Sequence, residues 1–180
     1  MKHGQKIAII AAALVAADQL TKWLVERNLP LHSERIVVEG FFKLVHWGNT
    51  GAAWSMFRDN NGLLAIISCV ALLALFLFRK HFYFPGTLGA WALGAMYGGI
   101  VGNLIDRLSH AGHVTDFLYF YIQQRGGREV GFPAFNIADM AICTGVGLLF
   151  LLSWQAEAQR QSAEANSTLT GNTPAAPPAE

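Results

Sequence analysis

The sequence predicts an all-α integral membrane protein: four transmembrane helices, a small surface sheet and an interfacial helix or loop. Three observations lead there. The chain is 53% hydrophobic and only 14% charged over 180 residues, against the roughly 25% charge of a soluble domain. Its mean hydropathy is positive, at +0.33. Its charges are also absent from long stretches, each close to the ~20 residues that cross ~30 Å of hydrocarbon as a helix. Helices are the expected spanning form, because lipid offers no partner to open backbone groups.

The first span starts at Ile7 and continues past Asp18 to Val25. A basic start, Met1 to Lys6, before an Ala-rich core also fits a cleavable signal peptide. The apolar pattern resumes at Leu20, Trp23, Leu24 and Val25, and that length favours a retained span. The second span covers Asn61 to Phe78, the third Gly86 to Ile105, and the fourth Phe135 to Trp154 with Asp139 near its start. Between spans one and two, Arg35–Val38 and Phe41–Val45 flank Gly40 and are rich in β-branched and aromatic residues, the pattern of short strands. Between spans three and four, the aromatics Phe117, Tyr119, Phe120 and Tyr121 precede Gly126-Gly127. That pattern predicts an interfacial amphipathic segment followed by a loop. Residues 1–155 thus form the membrane unit, and 156–180 a polar tail expected to be disordered.

Antiparallel spans bring nearly all the unusual polar residues to one membrane face: Asp18, Lys22, Asn49, Asn103, Asp106, Arg107, Asp116, Asn136 and Asp139. The opposite face holds little beyond Lys2, Lys6, Arg79 and Lys80. Ionisable residues within spans cost about 2.5–3.5 kcal/mol each on insertion scales, so they are functional candidates. Their convergence points to a site opening to one compartment. A literal count of Lys and Arg puts the crowded face in the cytoplasm, while the short basic N-terminus and Arg79-Lys80 pull the other way.

Asp18 and Lys22 are spaced i, i+4 in the order that favours an ion pair, which serves structure as readily as chemistry. Asn103, Asp106 and Arg107 share a helical face on the same terms. Gly94, Gly98 and Gly102 permit close helix packing. Asp116 and Asp139 differ, since neither has a basic residue within helical reach. Two such carboxylates at one depth can share a proton and activate water for amide hydrolysis, or can be separately satisfied helix-end acids. There is no HExxH, and His110-x-x-His113 lacks an evident third ligand, so no metal is expected. Cys69 and Cys143 lie within apolar runs far from any histidine, Ser55 and Ser109 lack a G-x-S-x-G context, and a net charge of +1 gives no nucleic-acid footprint.

Five motifs carry a resemblance. Asp18-Gln19-Leu20-Thr21-Lys22, Asn49-Thr50-Gly51-Ala52-Ala53-Trp54-Ser55, Gly99-x-x-Gly102-Asn103-Leu104-Ile105-Asp106-Arg107, Val114-Thr115-Asp116-Phe117 and Phe135-Asn136-Ile137-Ala138-Asp139 resemble the motif set of bacterial lipoprotein signal peptidases, the type II signal peptidases. The match spans about residues 1–155 in order, and Trp54 departs from the Phe often found there. The resemblance implies an aspartic endopeptidase of the inner membrane, with Asp116 and Asp139 as the catalytic dyad. Asn49, Gly51, Asn103, Asp106, Arg107, Asn136 and Ala138 would line or support the site, with Asp18 and Lys22 as a further polar pair. It further implies cytoplasmic termini, periplasmic elements at 27–58 and 108–133, and a prolipoprotein substrate cut before its diacylglyceryl-cysteine. Membrane lipids are expected as surroundings, together with a monomeric state, sensitivity to globomycin-type inhibitors and no cofactor. A small transporter and a non-enzymatic assembly factor are the rival readings; internal repeats or broken helices would mark the transporter, and survival without both aspartates would mark the assembly factor.

Overall fold

The structure, a computed structural model, describes residues 1–51, 60–109 and 112–171. Four helices, α1 (His3–Asn28), α2 (Asn61–Leu77), α3 (Thr87–Leu108) and α4 (Ile137–Gly171), accompany four strands, β1 (Glu34–Val38), β2 (Phe42–Asn49), β3 (Val114–Gln123) and β4 (Glu129–Gly131). By length and composition α1, α3 and α4 can cross a membrane, and α2 is a shorter apolar helix of 17 residues.

Helix α3 is the central post. Its small residues let neighbours approach: a Cβ on Gly94 would sit 2.7 Å from Ile10, and one on Gly98 would sit 2.9 Å from the Ala11 carbonyl oxygen. Gly102 is closed in from both sides, by Asp18 of α1 and Ala138 of α4. The glycine repeat therefore packs α1 and α4 onto α3. Helix α1 is inverted relative to a water-facing helix. Its buried residues are Asp18 and Lys22, while Ile9, Leu20, Trp23 and Leu24 are exposed. Helix α2 likewise exposes Ile66, Val70, Leu73 and Phe76. So large an apolar surface is the one a bilayer covers.

The strands form one antiparallel series in the order β1-β2-β3-β4. The two strands expected around Gly40 are present, and Gly40 turns the chain between them at φ +73°. The expected interfacial helix at 108–133 is corrected: residues 114–123 are strand β3. Its run Val-Thr-Asp-Phe-Leu-Tyr-Phe-Tyr-Ile is nearly all β-branched or aromatic, which suits a pleated surface. Strand β3 pairs with β2 on one side and β4 on the other, so tertiary pairing decides its form. Gly126 and Gly127, both at positive φ, return the chain to β4.

Helix α4 also departs from expectation by running on through residues 156–171, where disorder is expected. The segment Gln155 to Gln161 is built from Ala, Glu, Gln and Arg, which extend a helix once its nucleus exists. Residues 172–180 of the tail, His110, Trp54 and Ser55 lie outside the described residues.

Candidate active site

Asp139 is placed by the start of its own helix. The Asn136 side-chain oxygen accepts from the Asp139 backbone N–H at 2.9 Å, and the Asn136 N–H donates to Asp139 Oδ2 at 3.2 Å. This reciprocal pair is a capping box, which fixes the carboxylate against the first turn of α4. The other oxygen, Oδ1, accepts from the Asn103 side-chain amide of α3 at 2.7 Å.

Asp116 comes from the sheet, opposite Trp47 of β2. Its Oδ2 accepts from Asn49 Nδ2 at 2.9 Å and its Oδ1 from Asn136 Nδ2 at 2.8 Å. Asn49 is held in that orientation because its own oxygen accepts from the Gly51 N–H at 2.8 Å. Burial, and then the negative charge of Asp139 nearby, push the Asp116 carboxyl up to about 7; the amides of Asn49 and Asn136 oppose that rise. Asn136, fully buried, touches both aspartates: its amide group donates to Asp116 and its oxygen accepts from Asp139. One residue thus couples a strand carboxylate, through its side-chain amide, to a helix carboxylate, through its backbone N–H.

Behind this pair stands a buried ionic cluster. Lys22 Nζ lies 2.8 Å from Asp18 and 2.6 Å from Asp106, and donates to Asn103 Oδ1 at 3.1 Å. Asp18 accepts from the Ala138 backbone N–H at 2.9 Å, the residue before Asp139. Asn103 therefore links the ammonium to the helix carboxylate. Arg107 donates to the backbone oxygens of Asn103 and Gly51, and its Nε is buried with no hydrogen-bond partner among the described residues. The structure brings together all eleven expected residues, from Asp18 to Asp139, in one connected cluster.

Sequence reasoning passed over three members of it. Gln19 donates to Asp106, Asp18 and the Gly102 oxygen, bridging two acids that would otherwise repel. Thr115 donates through its hydroxyl to Glu26 at 2.7 Å and through its N–H to Asp106 at 3.4 Å, which anchors β3 beside Asp116. A signal for Glu26 did exist, since it lies one helical turn beyond Lys22.

The two aspartates face a cavity of about 820 Å³. Asn49, Asn103, Arg107, Asp116 and Asp139 form its polar wall, and Phe132, Pro133, Phe135, Met140 and Ile142 an apolar one. Such a cavity suits an amphiphile with its polar backbone at the carboxylates. Two acids that share a site cannot both ionise easily, and a half-protonated pair can activate water and polarise a carbonyl together.

Comparison with known proteins agrees with this chemistry. The family described as signal peptidase (SPase) II matches residues 10–155. A lipoprotein signal peptidase of Symbiobacterium thermophilum is 41% identical over 143 residues, which is 79% of this chain and 90% of that protein. Another from Syntrophotalea carbinolica is 40% identical over 152 residues, covering 83% and 91% respectively. A solved structure described as a bacterial membrane enzyme superposes with a TM-score of 0.70 at 28% identity, covering 87% of this chain and 91% of that one. With the family matching over most of its length, the chain belongs to the signal peptidase II family.

Proposed function

We propose that this protein removes signal peptides from diacylglyceryl-modified prolipoproteins, cutting before the lipidated cysteine, with Asp116 and Asp139 as its catalytic dyad. The observation that carries the assignment is buried Asn136, which bonds the Asp116 carboxylate through its side chain and the Asp139 carboxylate through its backbone N–H, joining the two acids that line the cavity. One aspartate, ionised, takes a proton from water as it attacks the scissile carbonyl carbon. The other, protonated, donates a hydrogen bond to the carbonyl oxygen. Collapse of the tetrahedral species then breaks the C–N bond and passes a proton to the leaving amine. Asn49, Asn103, Asn136 and Gly51 hold the pair in place, while Arg107, Asp106, Asp18, Lys22 and Ala138 support it.

The peptidase unit is residues 1–155, with four spans including the short α2, in the bacterial inner membrane. The termini are cytoplasmic, 27–58 and 108–133 are periplasmic, and 156–180 form a cytoplasmic tail. The protein acts as a monomer among membrane lipids, and globomycin-type inhibitors compete for the cavity. Substrate enters sideways from the bilayer, which the apolar wall beside Met140 and Ile142 favours. In a background lacking Cys69 and Cys143, a cysteine at Ser33 should label with an impermeant thiol reagent in spheroplasts, and one at His81 should not. The reverse pattern overturns the orientation.

The decisive experiment is cleavage of a lipidated prolipoprotein by Asp116→Asn and Asp139→Asn. Each should lose at least ~10²–10⁴-fold in rate, and the double variant should be little worse than either single, since the two act as a unit. Near-normal turnover by either single variant rejects the dyad.

A further inference from the structure

The end of the bundle away from the carboxylates holds a second cavity, of about 460 Å³, where α1, α2 and α3 meet. Ile7, Ala8 and Ala11 of α1 and Leu93 of α3 make it apolar, with Phe76 at the end of α2. Its room comes from the alanines, whose methyl groups leave a trough over the eight residues from Gly4 to Ala11, a rise of about 10 Å. Two groups break the apolar lining, Arg79 just beyond α2 and Tyr97 in the middle of α3.

The helices that line the crevice carry only positive charge at this end, and the carboxylates of Glu157 and Glu164 stand on the exposed extension of α4. Lys2, Lys6, Arg79 and Lys80 lie at this end, and no acidic residue occurs in 1–17 or 60–105. None of the four cations forms an ion pair among the described residues. Arg79 stacks on Phe76, with its guanidinium carbon 4.6 Å from the ring centroid, and donates one hydrogen bond to the Phe76 oxygen at 2.9 Å. A guanidinium has five N–H donors, so most of its donors remain open to a ligand. His3, beside Gly4, adds a buried Nε2 without a hydrogen-bond partner among the described residues.

Positive charge at a span end orients insertion, but that role does not require an exposed guanidinium held on a ring at the edge of a crevice. An apolar trough ending in unpaired cations matches a ligand with a hydrocarbon chain and an anionic head. A signal peptide does not fit, because its leading segment is itself positive. Free phosphate leaves the trough empty. A zwitterionic lipid brings its own ammonium to a surface already rich in cations.

We propose that this crevice binds an anionic phospholipid, with one acyl chain along Ala8, Ala11 and Leu93 and the phosphate at Arg79 and Lys80. The site lies apart from the dyad and does not depend on how the peptidase reaction runs. The lipid would brace α1 and α2 against α3 at the end where the bundle lacks polar contacts.

The test is native mass spectrometry of the full-length protein released from detergent micelles. Phosphatidylglycerol is compared with phosphatidylethanolamine of the same chains, with glycerol phosphate as the chain-free competitor. The wild type should retain phosphatidylglycerol preferentially. Arg79→Gln should cut its retention about tenfold, as loss of a hydrogen bond to a charged group implies, and Arg79→Lys should recover part of it. Ala8→Leu, which fills the trough, should lower retention of both lipids. Prolipoprotein cleavage by the same preparations should stay near wild type, which shows that the variants are folded. Equal retention of the two lipids by the wild type overturns the proposal. So does undiminished retention in Arg79→Gln or Ala8→Leu, or displacement of the lipid by equimolar glycerol phosphate.

Discussion

The two ends of the helix bundle are built on opposite principles. At one end Asp18, Lys22, Asn103, Asp106, Asn136 and Asp139 are knit into a continuous network. At the other, four cations stand without an ion pair among the described residues, around an apolar crevice. A buried charge in low dielectric is tolerated only when paired and hydrogen-bonded, so the polar end must be rigid to exist at all. That rigidity is also what a catalytic pair requires, because reacting groups gain most when their geometry is set before substrate arrives. The basic end lies at the membrane edge, where its side chains can reach water or lipid heads, and it has no need of such order.

The contrast can be broken most severely at Lys22. Lys22→Met leaves Asp18 and Asp106 without their shared cation, and a broken buried pair costs about 3–5 kcal/mol. Thermal unfolding in detergent should show that loss, whereas Lys6→Met or Lys80→Met at the other end should shift it little. Equal effects at both ends would deny that the network is the structural keystone.

Gly102→Ala probes the same end by volume instead of charge. Its Cβ would fall 2.7 Å from Asp18 Oδ2 and 3.2 Å from Ala138 Cβ. Overpacking of this kind costs about 1–3 kcal/mol, and it should also lower cleavage by displacing the capping turn that holds Asp139. Gly147→Ala, with nothing within 4 Å of its new Cβ, is the control and should be neutral in both assays.

The ends should also differ in pH response. Asp116, raised to about 7, holds its proton below that pH and loses it above. Activity that needs one proton on the pair is therefore lost as that proton leaves, and kcat/KM falls up to about tenfold per unit above pH 7. Arg79→Gln should leave the profile in place, and Asn136→Ala should move it, because that amide opposes the rise. A flat profile from pH 6 to 9 would show that Asp116 does not titrate in the reaction. The smallest effect is expected from the exposed extension of α4. Truncation after Ala158 should leave cleavage within about twofold, since residues 159–166 are exposed and the rest of the segment is polar low-complexity sequence.

Much of this was legible before any coordinates. Helices α1 and α3 and the start of α4 follow from charge-free runs, because a bilayer selects by hydropathy over a fixed length. The hairpin around Gly40 follows from β-branched residues flanking a turn glycine. The aspartates stood out because neither had a basic neighbour within a turn, which is a local property of the chain. The aromatic run 114–123 was misjudged because its pattern fits a membrane interface or a strand equally, and only β2 and β4 on either side distinguish them.

The sequence by itself determined which segments leave water and which acids lack local partners, since both depend on residues within about twenty positions of one another. The tertiary structure alone decided that Asn136 would join Asp116 to Asp139, that Asn103 would link Lys22 to the helix carboxylate, and that Gln19 would bridge Asp18 and Asp106. Asn136 reaches Asp116 across 20 residues of chain, Asn103 reaches Asp139 across 36 and Lys22 across 81, and Gln19 reaches Asp106 across 87. Their direction depends on which amide face meets which oxygen, and that is set by packing on the glycine seam of α3, where no local preference reaches.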